Sequence, residues 1–416
     1  MTFVSFVVGK SFCSELLRYN ELIGMKPKLP LLLLTFSLFA NACGVNVSAA
    51  PVSTATPPAA SATSLLSPTV VPSPTVAPYF LEATVWVEEP RVPMLAYHQL
   101  APDTSEYSTG HKVRVSDLRA QLESLNDAGF TLVAVEDWVN GDISLPPGRK
   151  PLIISMDDLF FNNQITLGAD GVPATDTSIG IFWQFSQEHP EFGFHLALFA
   201  NLGDKLYAEP DFPDWEEKLA RAIAWCLDHG AEVYNHTYRH ARLDLTDPPG
   251  VKSELRRNDL YLRELLTMIG REDLIPALGN MLATPFGHWP DSNGTYVMEH
   301  YTTPEGISMQ AVFGIDNNER AGFVPPPYSP DFNRFHLMRI AARPVTIQYL
   351  VDHKNEFPAA QQCTLGPLDQ SSLNDVDYIA RQIRSAVRSE TCLAGVYAVN
   401  GKIFDARGSS VVFLSP

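Results

Sequence analysis

Pro151-Leu152-Ile153-Ile154-Ser155-Met156 runs straight into Asp157-Asp158, and Ala231-Glu232-Val233-Tyr234-Asn235 runs into His236-Thr237-Tyr238-Arg239-His240. Each run has the length and apolar character of a buried strand, and each ends on side chains that carry chemistry. Working outward, residues 92–100, 131–135, 195–200, 280–283, 311–315 and 337–341 read as further strands. Residues 115–128, 178–189, 214–229, 251–269 and 346–356 carry helical spacing. Ser116 is the expected cap of the first helix and Asp214 of the third. Strands alternating with helices imply a parallel sheet, open or closed into a barrel. His98, Asp157, Asp158 and His236 all sit where a strand stops, which is where α/β barrels hold their chemistry. The tail is expected to hold a helix over 374–388, a hairpin turning at Asn400-Gly401, and a strand at 411–414.

Two adjacent carboxylates are costly to ionise together unless a cation or hydrogen bonds compensate. Alone, Asp157-Asp158 reads equally as a turn. Two histidines four apart can face one metal, although a lone pair of this spacing is a weak signal. Together, one aspartate and two histidines make a common open metal site that leaves room for water.

The 416 residues carry a net charge of −17, so nucleic-acid binding is not expected. No C-x-x-C pair occurs among the five cysteines. Cys226 reads as a small buried residue, and Cys363 and Cys392 could form a disulfide in an exported protein. Residues 25–43 hold a short basic region, an apolar run and small residues before Cys43, which fits a bacterial secretory signal ending in a lipobox. Cys43 is the expected lipidation site, with ordinary cleavage nearby as the alternative. Residues 1–24 are expected to be an upstream extension before the true start. Residues 44–78 form a Pro/Ser/Thr-rich linker with too little apolar surface to offset its ordering entropy. The expected organisation is then a catalytic domain over 79–356 and a C-terminal extension over 357–416, exported and tied to the membrane only through the N-terminal lipid.

The series Tyr97-His98, Ser155-Met156-Asp157-Asp158, Asn235-His236-Thr237-Tyr238-Arg239-His240 and Thr284-Pro285-Phe286-Gly287 resembles the polysaccharide deacetylase (NodB-like) family, carbohydrate esterase family four. The resemblance covers roughly residues 92–342. It implies a distorted (β/α) barrel that hydrolyses N-acetyl groups from an amino-sugar polysaccharide or cell-wall glycan. It also implies that Asp158, His236 and His240 bind a divalent metal, that Asp157 is the general base and that His98 is the acid. The backbone near Phe286 would hold the oxyanion, and Trp289 would line the sugar groove. Zinc is the expected ion for such a donor set. Three departures stand out: Leu159 replaces the family's usual glycine, Ala283 replaces the arginine that orients the base, and neither His336 nor His353 matches the late Leu-x-x-His motif. They leave two other readings open: a catalytically impaired glycan-binding lipoprotein on the same fold, and an O-acetyl esterase.

Overall fold

The computed structural model describes residues 79–104, 111–159, 164–203, 214–316, 318 and 322–414. The expected signal, Cys43 and the linker lie outside the described residues. The strands are β1 (Tyr79–Trp86), β2 (Val92–Tyr97), β3 (Gln99–Ala101), β4 (Lys112–Arg114), β5 (Phe130–Leu132), β6 (Lys150–Asp157), β7 (Leu196–Ala200) and β8 (Ala231–Asn235). They continue as β9 (Met281–Ala283), β10 (Ala311–Asp316), β11 (Phe323–Val324), β12 (Leu337–Ala341), β13 (Gln361–Leu368), β14 (Val396–Val399), β15 (Lys402–Asp405) and β16 (Val412–Leu414).

Strands β2, β6, β7, β8, β9, β10 and β12 pair in parallel, and β12 returns to β2, so seven strands close a barrel. Strand alternation sorts their side chains into two cores. Met94, Ile153, Ala197, Phe199, Met281, Ala283, Ala311, Phe313 and Leu337 fill the interior. Leu95, Leu152, Ile154, Met156, Leu196, Leu198 and Val233 point outward. There they pack on Leu118, Leu122 and Leu125 of helix Val115–Asp127 and on the helices Ser178–Glu188 and Trp215–Asp228. The fold is thus the α/β barrel expected from the alternating pattern.

Local differences have local causes. The run 92–100 breaks at His98 into β2 and β3. The strand expected over 131–135 ends at Leu132, and Val135–Val139 forms a short helix whose first N–H groups, of Val135 and Glu136, bond the Glu232 carboxylate. Ser116 is not the cap of helix Val115–Asp127: its N–H is bonded by Asp103 Oδ1 at 2.9 Å. Asp214 precedes its helix but caps no N–H, pairing instead with Lys218 at 3.1 Å. Helix Pro248–Met268 starts three residues early, because Asp247 caps the Gly250 N–H and proline suits the first turn.

The tail forms a five-stranded antiparallel sheet in the order β13-β1-β14-β15-β16. The expected hairpin is present, with Asn400 and Gly401 both at positive φ. The extension expected over 357–416 is not complete by itself. β1, from the stretch assigned to the catalytic domain, sits between β13 and β14. Helix Val376–Arg388 lays Ile379 and Ile383 on this sheet, and a Cys363–Cys392 disulfide ties β13 to the loop after that helix. Replacing both cysteines with serine is predicted to cost about 3.5 kcal/mol, the chain-entropy scale for closing a loop of this length. Denaturant unfolding with and without the substitutions measures it; equal stability would show that the bond does not constrain the unfolded chain. Cys226 is buried, as expected, and burial raises its thiol pKa.

Candidate active site

The carboxyl ends of β6 and β8 deliver Asp157-Asp158 and His236 side by side. Asp158, His236 and His240 each offer a ligand atom, and these atoms lie within 4.8 Å of one another. Asp158 Oδ1 is 3.8 Å from His236 Nε2 and 3.6 Å from His240 Nε2. Two ligands about 2.1 Å from one tetrahedral ion stand about 3.4 Å apart, so the set is near that spacing. His236 Nδ1 lies 2.8 Å from the Ala283 carbonyl, which holds the proton on Nδ1 and turns the Nε2 lone pair toward the cluster. Asn201, just past β7, donates to Asp158 Oδ1 at 3.0 Å.

The backbone is forced where these groups meet. Asp158, Thr237, His240 and Phe286 adopt φ of 56°, 62°, 53° and 59°. Left-handed backbone at non-glycine residues costs on the order of 1–3 kcal/mol each and persists only when the surroundings impose it. In the loop that holds Thr237 and His240, helix Pro248–Met268 supplies the constraint. Its Glu254 accepts from the Arg239 N–H at 2.8 Å and from Arg239 Nε at 2.9 Å. Its Asn258 bonds the Leu202 N–H and the Ala200 carbonyl. Its Asp259 accepts from Asn235 Nδ2 and from the Tyr301 hydroxyl, and Asn235 Oδ1 in turn accepts from the Thr237 N–H. The helix was legible in the sequence as charged and amphipathic. Its buried polar face, which props the His236–His240 loop, was not.

Asp157 has a partner that no sequence motif announced. Arg339 points inward from β12, is fully buried, and grips both oxygens of Asp157 at 2.6 and 2.9 Å. The same guanidinium bonds Ser155 Oγ and the Gly314 carbonyl, so its donors are spread over β6 and β10. The counter-charge absent at Ala283 therefore comes from another strand. The one available signal was a charged residue inside a short apolar strand, since a buried cation needs an anion. At the position where Leu159 replaces the glycine, the chain is not left-handed: the left-handed residue is Asp158, and Leu159 is buried in the outer core.

His98 Nε2 and His236 Nε2 each stand 3.8 Å from Asp157 Oδ2. Gln164 bonds the His98 carbonyl. Phe286 is 57% exposed, with its ring 4.4 Å from that of His240, so an aromatic face borders the cluster. Trp289 is half-buried: its ring stacks on His336, its N–H donates to the Phe335 carbonyl, and it occupies the space that a side chain at Gly314 would need.

Burial alone would raise the Asp157 pKa, but the Arg339 guanidinium, with His236 and His98, drives it far below the usual carboxylate range. Burial pushes His98 down to about 4 and His236 down to about 3, with Asp157 opposing only in part. Both histidines therefore rest neutral in the native state and gain protons on unfolding. Below the unfolded value of about 6.5 each should remove about 1.4 kcal/mol of stability per pH unit, continuing until the native values are reached. For the metal-free protein the prediction is a slope of about 2.7 kcal/mol per pH unit near pH 5. Asp157 acts in the same direction but in a lower window: its stabilisation is present above about pH 4 and is lost as pH falls toward its depressed native value. Unfolding free energies at pH 7 and pH 5 check this, and equal values would contradict neutral buried histidines.

No family model matches the chain, and no curated protein sequence does. Solved structures similar to it include deacetylases. One is the Streptococcus pyogenes deacetylase PplD in complex with acetate, at 13% identity and a TM-score of 0.44, covering 64% of this chain and 98% of that one. A polysaccharide deacetylase from Bacillus cereus matches at 18% identity and 0.43, covering 64% and 69%. IcaB from Ammonifex degensii matches at 16% and 0.40, covering 64% and 98%.

Proposed function

We propose that the protein is a metal-dependent hydrolase that removes N-acetyl groups from an amino-sugar polysaccharide or cell-wall glycan. The observation that carries the reading is the pairing of a three-residue ligand set with a separate, arginine-held carboxylate beside it. Asp158, His236 and His240 would hold the ion, with zinc favoured by two imidazoles and one carboxylate. A bound ion would polarise the acetyl carbonyl and lower the pKa of water at that point. Asp157, kept ionised by Arg339, takes a proton from the attacking water. His98 rests neutral, so the proton it gives the departing amine nitrogen must first reach it. Asp157 is the nearest source, on the side that His98 Nε2 faces. The Phe286 N–H would donate to the developing oxyanion, and the exposed Phe286 ring would offer a face for a sugar.

The impaired, binding-only reading is weakened: Arg339 supplies a cation to Asp157 in place of the missing arginine, and Leu159 is not among the positive-φ residues that would call for glycine. Export as a lipoprotein through Cys43 is part of the proposal, and the Cys363–Cys392 disulfide supports an oxidising compartment. The test is acetate release from N-acetylglucosamine oligomers against release from O-acetylated xylan. Release from the first and not the second is expected. Release from xylan alone would convert the reading to an O-acetyl esterase, and release from neither would remove the hydrolase reading.

A further inference from the structure

Charge is unevenly shared along the chain. Residues 79–356 hold 21 Lys and Arg against 40 Asp and Glu, whereas residues 357–416 hold five against five. Three of those last five cations lie on one side of one helix. Arg381, Arg384 and Arg388 follow each other at steps of three and four in Val376–Arg388, which spaces them over about 10 Å of helix axis. The opposite side is committed to the sheet through Ile379 and Ile383, and the disulfide at Cys392 holds the segment just past the helix end. The arginine face is thus a fixed surface.

Among the described residues, no carboxylate pairs with any of the three guanidinium groups. The carboxylate that begins this helix, Asp375, is engaged as its cap, bonding the Tyr378 N–H at 3.0 Å. The Arg384 Nε is shut off from solvent yet bonds no protein group. A buried donor in that state carries a desolvation cost that an anionic oxygen would relieve. Arg381, Arg384, Ser385, Arg388 and Ser389 line one depression of about 420 Å³.

We propose that this depression binds the phosphate groups of a linear phosphodiester polymer, and so docks an acidic domain on an anionic envelope material. Forked guanidinium donors match phosphate oxygens, and the exposed Ser385 hydroxyl beside them adds a neutral donor, whereas the Ser389 hydroxyl is committed to the Ala386 carbonyl. A polymer fits better than a bilayer: the exposed positions of the helix are Asp377, Arg381, Ser385 and Arg388, with none of the apolar side chains that insert between lipids. The site lies on the C-terminal sheet's helix and does not depend on the deacetylase reading.

The test uses the full chain and fluorescently labelled poly(glycerol phosphate), with anisotropy read at 50 and 200 mM salt. Displacing counterions from about three phosphates should weaken binding about 20-fold over that range. The triple substitution Arg381→Gln, Arg384→Gln, Arg388→Gln should weaken binding at least about tenfold at the lower salt, with the unfolding midpoint unchanged. If the triple variant is destabilised, Arg384→Gln alone serves, with the largest single loss expected because it removes the enclosed donor. The proposal is overturned if the wild type does not bind, if the variants bind equally well, or if binding occurs only to phosphatidylglycerol-containing vesicles.

Discussion

Asp157→Asn is expected to lower acetate release by about 10²- to 10⁴-fold, the range that a positioned general base supplies. An amide cannot accept a proton from water at neutral pH, and it cannot neutralise the buried Arg339 that now grips both Asp157 oxygens. The second consequence is a stability loss of about 3–5 kcal/mol, the scale for leaving one member of a buried ion pair uncompensated. Activity must therefore be measured well below the variant's unfolding midpoint. Arg339→Met separates the two effects. It keeps the carboxylate but removes the charge that lowers its pKa, so the acid limb of the pH–rate profile should move to higher pH. An Asp157→Asn protein that is folded and as active as the wild type would remove Asp157 from the chemistry.

His236→Ala should abolish stoichiometric metal binding and acetate release together. Its ring is 2% exposed and held by the Ala283 carbonyl, so it would be a fixed ligand, whereas the half-buried His240 has more freedom to adjust. Loss of the ion should also lower the unfolding midpoint under metal-replete conditions, because a ligand bound only to the native state stabilises it by mass action. In metal-free buffer the sign should be different. Removing a buried histidine that resists protonation also removes its share of the acid destabilisation below pH 6.5. Elemental analysis that still finds one metal per chain in the variant would overturn the ligand assignment.

The barrel and the metal-ligand candidates were legible because both are local. Apolar runs end on Asp157-Asp158 and on His236, and Leu118, Leu122 and Leu125 mark an outer helix within a few residues of each other. What was missed is non-local. β1 pairs with β13 across almost the whole described chain, and no periodicity reports a partner so far away. Arg339 meets Asp157 at a separation of 182 residues. Glu254, Asn258 and Asp259 lie in a run whose helical spacing shows that a face is polar but not whether that face meets solvent or a strained loop. The departures at Leu159 and Ala283 illustrate the same limit. Sequence shows that a residue type is absent from one position, but not that Arg339 sets a cation beside Asp157 from another strand, nor that Leu159 lies where no positive φ calls for glycine.

The most direct test of the central claim is acetate release from N-acetylglucosamine oligomers by the full chain after chelation and after zinc is added back. Release is expected to vanish on chelation and to return at one zinc per chain. No release from the reloaded protein, or undiminished release after complete metal removal, would contradict a metal held by Asp158, His236 and His240 and served by Asp157.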